Sequence, residues 1–197
     1  MTEDRWLVAG LGNPGPSYAG NRHNAGYLTA DVLAERAGVR FRAGKFRAMA
    51  AEGRIAGHGV IVVKPLTFMN DSGVAVAGLS GYLRLGPARV VVVHDERDLP
   101  FGTIRLKCGG GNNGHNGLRS ITAHLGTREF CRVRIGIGRP PGRMDPAAYV
   151  LRDFSGAERK ELPLVLGRAA DAVEVLLADG LAAAQNAFHG DGVSQPG

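Results

Sequence analysis

Short runs of apolar, β-branched residues recur along the chain and predict the strands of a sheet. Two of these runs, at 59–64 and 89–94, are almost continuously apolar, which is typical of strands covered on both faces. The runs at 103–108 and 132–138 alternate between apolar and polar positions, which favours strands nearer a polar face or an edge. The predicted strands are completed by a run near the start, 6–10, and a weaker one within 46–55.

Stretches between these runs have the spacing and the boundaries of helices. Within 24–38, Leu28, Val32 and Leu33 follow helical spacing and the pattern stops at a glycine. Ser155 and the glutamate three positions later form a capping box, which predicts the start of a long C-terminal helix. We expect Pro163 to kink that helix or to delay its start. Two further helices are predicted in 72–86 and 116–126.

The alternation of strands and helices predicts the α/β class, with a single three-layer domain and a mostly parallel mixed sheet flanked by helices. Because no repeat or long linker divides the sequence, we expect one domain over 1–188. The polar residues 189–197, which include Gly and Pro, are expected to form a flexible tail. In open sheets of this kind ligands bind beyond the carboxyl ends of the strands, so polar clusters at those ends are of most interest.

Composition narrows the function classes. The chain has 197 residues, 44% of them hydrophobic, and a net charge of +6, a balance found both with polyanionic partners such as nucleic acid and in merely basic soluble proteins. The apolar runs are far shorter than the roughly 18 residues of a membrane span, and the acidic start does not resemble a secretory leader. Cys108 and Cys131 lack a C-x-x-C partner, which favours reduced cytoplasmic thiols over a disulfide.

A glycine-rich loop follows the first predicted strand, where residues 10–15 spell G-x-G-x-x-G. A dinucleotide-binding loop opens directly into a helix and is followed, about 20 residues on, by an acidic residue after a second strand. Here two prolines interrupt any helix until about Asn24, and Glu35, at the acidic position, lies in a predicted helix. We therefore expect no nucleotide cofactor, and we expect the glycines to allow a sharp turn that presents Asn13.

Four segments are rich in polar residues that a core does not favour: GLGNPG with NRHNAG, KPLTFMNDSG, HDERDLPFG and GGGNNGHNG. The first three follow predicted strands. If those strands are parallel neighbours, their polar ends lie on one rim of the sheet. The convergence of a histidine, an aspartate and several asparagines there indicates a candidate active site.

In this order and spacing the four segments resemble the bacterial peptidyl-tRNA hydrolase family, and the resemblance extends over about residues 6–188. It implies a monomeric α/β enzyme without metal or cofactor. The implied substrate is peptidyl-tRNA. The implied reaction is hydrolysis of the ester between the peptide and the tRNA 3′ ribose, which releases the peptide and returns the tRNA for recycling. From the absent targeting signals, the short apolar runs and this substrate class we expect a cytoplasmic location and no membrane partner.

The resemblance implies two catalytic residues. His23 matches the family's catalytic histidine, and an imidazole that titrates near neutrality is suited to taking a proton from water. Asp95 matches the acid that orients this histidine and stabilises its protonated form. A turn-capping role competes for any carboxylate after a strand, and we assign that role to Asp98.

The substrate-binding residues implied by the resemblance are mainly amides. An amide has donor and acceptor edges and adds no charge, so it can hold a peptide or a ribose. Asn70 is also expected to position water or to stabilise the oxyanion. Asn116 opens a predicted helix, so that a plain N-cap role is its alternative. The set of substrate-binding residues is Asn13, Tyr18, Phe68, Asn70 and Asn116.

Cations for the tRNA phosphates are implied at Lys107 and Arg134, with Arg105 and Arg132 as possible additions to the same patch. The segment GGGNNGHNG is expected to form a gate loop, represented by Gly111, Asn112, Asn113 and His115.

Two positions depart from the family pattern. Asn112 and Asn113 stand where His-Gly is common, and an asparagine tolerates the left-handed turn that a glycine would make. Arg97 stands where a hydrophobic residue is usual and adds a cation near the rim.

Two other function classes compete with the esterase. A non-catalytic RNA-binding relative is one, but the intact set of Asn13, His23, Asn70, Asp95 and Asn116 favours the enzyme. A nucleotide-dependent oxidoreductase or transferase is the other, and only the glycine loop favours it. Serine and cysteine hydrolases are disfavoured because there is no G-x-S-x-G elbow and neither cysteine lies in a polar segment.

Overall fold

The computed structural model of the chain describes residues 4–190, which contain seven strands and six α-helices. The strands are β1 (Arg5–Gly10), β2 (Arg42–Ala43), β3 (Ala48–Ile55), β4 (His58–Pro65), β5 (Val90–Glu96), β6 (Ile104–Cys108) and β7 (Cys131–Gly136). The helices are α1 (Ala25–Arg36), α2 (Ser72–Tyr82), α3 (Asn116–Leu125), α4 (Pro146–Val150), α5 (Gly156–Asp179) and α6 (Leu181–His189).

The strands form one mixed sheet in the order β2-β3-β4-β1-β5-β7-β6. The four central strands, β4, β1, β5 and β7, are parallel to one another. The outer strands β3 and β6 add in antiparallel fashion, and β2 is a two-residue edge beside β3. The predicted α/β class with a mostly parallel mixed sheet is therefore confirmed.

Helices cover both faces of the sheet, which explains the continuous apolar runs within β4, β1 and β5. In β1, Val8 packs into a core formed with α1, α5 and α6, whereas Leu7 and Ala9 pack into a second core formed with α2 and α3. Alternate side chains of a strand point to opposite faces, so β4, β1 and β5 each supply both cores. None of the helices within residues 4–190 is both long and apolar enough to cross a membrane.

All six predicted strands are present, and the predicted helices correspond to α1, α2, α3 and α5. The capping box at Ser155 and Glu158 is present, and α5 begins at Gly156. Pro163 does not delay this helix, because it lies inside α5 at an exposed position after the capped first turn.

The boundary of the predicted tail is wrong at its first residue. His189 is the last residue of α6, and its Nε2 accepts a hydrogen bond from the Leu106 backbone N–H at 2.9 Å. Residues 191–197 lie outside the described residues. Helices α4 and α6 and strand β2 are elements that the sequence pattern did not predict.

The prediction of reduced cysteines is also wrong, because a disulfide joins Cys108 and Cys131. These residues lie directly opposite each other on β6 and β7, at the ends of two antiparallel strands. The adjacent pair, Gly109 and Phe130, forms the backbone hydrogen bond, so the cysteines occupy a non-hydrogen-bonded position, where Cα atoms approach most closely. Their separation of 23 positions in sequence hides this pairing.

The glycine-rich loop serves close packing. Gly15 is the one glycine of the G-x-G-x-x-G segment with a positive φ, 103°. A Cβ on Gly10 would lie 2.2 Å from the Gly26 carbonyl oxygen, and a Cβ on Gly26 would lie 2.3 Å from the Val93 carbonyl oxygen. The expected sharp turn is therefore not the main reason for these glycines. They let the first turn of α1 lie directly on β1 and β5.

We expect Gly26→Ala to lower the free energy of unfolding by about 3 kcal/mol or more, because the added methyl group meets backbone atoms that cannot rotate away. Gly81→Ala is the matched control, since an added Cβ there has no heavy atom within 4 Å and Gly81 lies in the exposed part of α2. The control should leave stability unchanged or raise it by up to about 1 kcal/mol. Denaturant unfolding measures both variants, and equal midpoints would contradict the packing argument.

Candidate active site

The polar segments converge at the carboxyl ends of three parallel strands. Strand β1 lies between β4 and β5, so the segments that follow these strands share one rim, as predicted. The loop after β1 carries Asn13, and a short 3₁₀ turn, Arg22–Asn24, leads into α1. The close contact of α1 with the sheet holds this turn over the end of β5.

His23 and Asp95 form a direct pair, although 72 positions separate them in sequence. The Nδ1 atom of His23 lies 2.9 and 3.0 Å from the two carboxylate oxygens of Asp95, and Asp95 is only 2% exposed. A carboxylate accepts but does not donate, so Nδ1 carries the proton. The Nε2 atom of His23 then keeps its lone pair in the neutral ring, and no atom of residues 4–190 bonds to it.

A second imidazole contacts the same carboxylate. The Nε2 atom of His115 lies 2.9 Å from Asp95 Oδ1. Its Nδ1 accepts hydrogen bonds from the backbone N–H groups of Gly117 and Leu118, so that His115 is the N-cap of α3. These bonds fix the proton of the neutral ring on Nε2, which donates to Asp95. The alternative N-cap role for Asn116 is therefore wrong, because the preceding residue fills it.

The charges and the burial of this cluster shift the pKa values of Asp95 and His23. Burial alone would raise the pKa of Asp95, but the charges and hydrogen bonds of His23 and His115 outweigh it and hold that pKa well below its usual range. Burial alone would lower the pKa of His23, but the Asp95 charge and hydrogen bond outweigh it, and the pKa is raised above 6.5. His94 is fully buried nearby, and its pKa is lowered by burial and by His115, which keeps this ring neutral.

His23, Asp95 and His115 also have the dimensions of a metal site, since one ligand atom of each lies within 4.8 Å of the others. The hydrogen bonds already described use these same atoms. The sequence-based expectation of a metal-free enzyme remains a prediction.

Asn13 is held so that only part of its amide is available. The Asn24 amide accepts from the Asn13 backbone N–H at 2.9 Å and donates to the Asn13 carbonyl at 3.0 Å. The Met69 N–H donates to Asn13 Oδ1 at 2.7 Å. The oxygen is therefore occupied, whereas no residue of the described chain accepts from Nδ2. Asn13 thus presents a donor to the cavity that it lines.

A cavity of about 310 Å³ brings together the predicted substrate-binding residues beside His23. We call it the Phe68 cavity. Phe68 is 61% exposed and lies edge-on to the Tyr18 ring, with centroids 6.2 Å apart. Its lining includes every residue of the predicted set: Asn13, Tyr18, Phe68, Asn70 and Asn116.

The two predicted tRNA-binding cations lie on β6 and β7, where Lys107 is opposite Arg132 and Arg134 is two residues further along β7. Arg134 pairs with the buried carboxylate of Glu96 at 2.8 Å, and Lys107 donates to the Gly111 carbonyl at 3.2 Å. Partial burial and the positive charges of Arg134 and Arg132 lower the pKa of Lys107. Such crowding of positive charge favours an anion at this position.

Arg132 is not part of a surface patch, which corrects its predicted addition to the tRNA-binding cations. It is fully buried, its guanidinium donates to the carbonyl groups of Gly109 and Gly110, and it lies over the Phe130 ring. Burial, and then Arg134, lower its pKa to about 10. Strand alternation placed Arg132 on the correct face, but the loop that covers this face could not be inferred from the alternation. Arg105 is partly exposed and donates to carbonyl groups of β6 and α6.

The predicted gate loop is hydrogen-bonded along its length. Asn113 has the left-handed φ of 49° expected of a glycine replacement, and its amide donates to Glu96 at 2.9 Å and also to Asp98. Asn112 accepts from the Thr122 hydroxyl at 3.1 Å. A glycine at position 113 could not donate to either carboxylate. The departure from the family pattern therefore adds two hydrogen bonds to this loop.

Sequence reasoning missed Asn24 and Glu96, and it did not assign the contact of His115 with Asp95. Asn24 follows the candidate catalytic histidine directly and is buried, which is an unusual position for an amide. Glu96 ends the continuously buried strand β5, and a carboxylate in such a place needs a partner. A polar residue at a position where the sequence pattern predicts burial is the signal that could have identified Asn24 and Glu96 as functional residues.

Comparisons with known proteins show which family this chain is similar to. The family model described as peptidyl-tRNA hydrolase matches residues 7–196. The chain is 62% identical to the peptidyl-tRNA hydrolase of Frankia alni over 184 residues, which cover 93% of each chain. It is 58% identical to that of Rhodococcus opacus over 190 residues, 96% of this chain and 100% of the relative. The crystal structure of peptidyl-tRNA hydrolase from Acinetobacter baumannii superposes with a TM-score of 0.87 at 38% identity and covers 93% of both chains.

Proposed function

Because the chain belongs to the peptidyl-tRNA hydrolase family and is a hydrolase of peptidyl-tRNA, we propose that it cleaves the ester by water that His23 activates. The Nε2 atom of neutral His23 takes a proton from water as the oxygen attacks the ester carbonyl carbon. The protonated ring is stabilised by the buried Asp95 carboxylate. When the tetrahedral intermediate collapses, His23 returns this proton to the 3′ oxygen of the ribose, which leaves as a hydroxyl.

Amide donors are proposed to stabilise the oxyanion of that intermediate. The Nδ2 group of Asn13 is suited to this role because Met69 occupies the oxygen of the same amide. Asn70 lines the same cavity, is exposed, and is proposed to position the water or the oxyanion. Asn116 is free for the substrate because His115 caps its helix. Loss of one such donor typically costs about 10²–10³ in kcat.

The single observation that carries this mechanism is the buried His23–Asp95 pair, in which no described residue bonds to Nε2 of the histidine and the histidine lines two cavities. Incubation of the purified protein with N-blocked aminoacyl-tRNA tests it against the non-catalytic RNA-binding alternative. We expect free tRNA to accumulate with repeated turnover. Binding without release of tRNA would instead support the non-catalytic alternative.

We expect kcat/KM to fall as the pH decreases through a midpoint above 6.5, because the pKa of His23 is raised and only the neutral ring can take a proton. The same raised pKa makes protonated His23 stabilise the fold, fully below the unfolded value of about 6.5 and no longer once the pH has risen through the folded pKa. Initial rates of tRNA release between about pH 5 and pH 9 measure the midpoint. A midpoint at or below 6.5 would contradict the role of Asp95 as the partner that raises this pKa.

Binding of the tRNA is proposed to use Lys107 and Arg134 for phosphates, together with the gate loop around Gly111 and Asn113. Two observations support this assignment. Positive charges are crowded around Lys107, and the Glu96 carboxylate binds both Arg134 and Asn113, which connects Arg134 to the gate loop. Phosphate contacts of this kind position the substrate, whereas the amides near His23 act on the ester.

A further inference from the structure

His23 lines two cavities of different chemical character. The Phe68 cavity has exposed apolar side chains at its wall, among them Phe68 and Leu151. The second cavity, of about 260 Å³, is also lined by His23, adjoins the first at Asn116, Ala147 and Val150, and is called the Arg97 cavity. Its wall includes the carboxylates of Asp95, Glu96 and Asp145, the guanidinium of Arg97, and Gly114.

Each carboxylate of the Arg97 cavity is already engaged. Asp95 accepts from two imidazoles, Glu96 pairs with Arg134 and accepts from Asn113, and Asp145 caps the first turn of α4. These bonds occupy oxygens of all three carboxylates, and Arg134 also neutralises the charge of Glu96.

Among the charged side chains of the Arg97 cavity, Arg97 itself differs from the carboxylates. Its side chain is half-buried and lies over Gly114, where an added Cβ would be 3.0 Å from Nη2. Within residues 4–190 it has no hydrogen-bond or ion-pair partner. A partly buried guanidinium without a partner presents several donors and a full positive charge, and these suit a phosphate group.

The Arg97 cavity lies on the side of the predicted tRNA-binding cations. Glu96 lines this cavity and bonds directly to Arg134, which is paired across β5 and β7 with His94. A nucleic acid strand that leaves Lys107 and Arg134 thus reaches the Arg97 cavity before it reaches His23. The Phe68 cavity, which combines apolar side chains with amides, is suited to the peptide.

We propose that Arg97 binds a backbone phosphate of the 3′-terminal nucleotides of the tRNA, so that the ribose ester is presented to His23 from the Arg97 cavity. This inference rests on the proposed function. It assigns the two halves of the substrate to the two cavities and gives a binding role to a residue that departs from the family pattern.

The salt dependence of kcat/KM tests this contact. Neutralising one contact to a single-stranded phosphate reduces the slope of log(kcat/KM) against log[KCl] by about 0.7. We expect Arg97→Leu to show this smaller slope and to raise KM about tenfold, which is the effect of one charge-assisted hydrogen bond, with little change in kcat. Arg97→Lys should restore the slope because it restores the charge. Unchanged KM and slope in Arg97→Leu would overturn the proposal.

Arg89→Leu is the matched control. Arg89 is also half-buried, but it precedes β5 and lies over the Trp6 ring, at the opposite end of the strand from Arg97. This variant removes the same charge and should keep the salt slope and KM of the wild type. If both variants lose slope equally, net charge explains the effect and the proposed contact is overturned.

Shorter substrates locate the phosphate. With an N-blocked aminoacyl-CCA trinucleotide we expect Arg97→Leu to retain its increase in KM, whereas with the aminoacyl ester of adenosine, which has no phosphate, wild type and variant should be equal. A defect that persists with the adenosine ester, or that vanishes with the trinucleotide, would overturn the proposal.

Binding of deacylated tRNA provides a readout that does not need turnover. If the wild type cleaves no ester, the proposed mechanism fails, but a reduced salt slope of tRNA binding in Arg97→Leu would still support the contact. If the wild type cleaves peptidyl-tRNA and the variant binds tRNA with an unchanged slope, the mechanism stands and the contact is overturned.

Discussion

We expect His23→Ala to lower kcat for peptidyl-tRNA by about 10²–10⁴-fold, the usual contribution of a general base. The variant removes the only proton acceptor proposed for water, but it removes no group proposed to bind phosphate. The dissociation constant for deacylated tRNA should therefore stay the same. Release of free tRNA under single-turnover conditions measures the chemical step directly.

His58→Ala provides the control for the loss of a histidine. His58 opens β4, is partly exposed and pairs with Asp4, at the opposite end of the sheet from the site. It should keep wild-type turnover. Added imidazole should partly restore His23→Ala, because a free base can enter the space that the side chain leaves. Wild-type turnover in His23→Ala would eliminate the proposed mechanism.

Asp95→Asn is expected to lower kcat by about 10⁴-fold, the cost measured when the acid behind a catalytic histidine is converted to its amide. In the native protein His115 donates to Oδ1 with a proton that the α3 backbone fixes on its Nε2. The oxygen of the new amide would therefore turn toward His115, and its NH₂ group toward His23. This NH₂ group donates to Nδ1 of His23, which favours the tautomer with the ring proton on Nε2 and blocks the base.

Two readouts separate this tautomer effect from a merely structural one. The acid midpoint of kcat/KM should move to lower pH in Asp95→Asn, because the charge that raises the pKa of His23 is gone. Asp31→Asn, which changes an exposed carboxylate of α1 paired with Lys64, should match the wild type in rate and midpoint. If Asp95→Asn lowers stability but leaves kcat and the midpoint unchanged, Asp95 has only a turn-capping role.

Much of the fold could be predicted because apolar runs report burial directly. Continuous runs such as 59–64 identified central strands, since the side chains of β4 meet a helix layer on each face. Helix α4 has five residues and strand β2 has two, and segments this short show no periodicity. Such short elements depend on individual contacts. Asp145, for example, caps α4 by accepting a hydrogen bond from the Ala147 N–H.

The candidate site could be predicted as a set of residues but not as a set of contacts. The resemblance placed His23, Asp95 and the asparagines together, and the parallel order of β4, β1 and β5 explains why they meet. The second imidazole on Asp95, the burial of Arg132 and the bond between Cys108 and Cys131 depend on which residues face each other across the sheet. Sequence spacing does not contain that register.

The contact of α6 with β6 has a consequence for how the protein behaves at high concentration. An outer strand normally presents unpaired N–H and C=O groups that recruit a strand from another molecule. At Leu106 both groups are occupied, by His189 and by the Gln185 side chain. The β6 border is therefore blocked at this residue against intermolecular β-pairing, and α6 protects that side of the sheet from this route to aggregation.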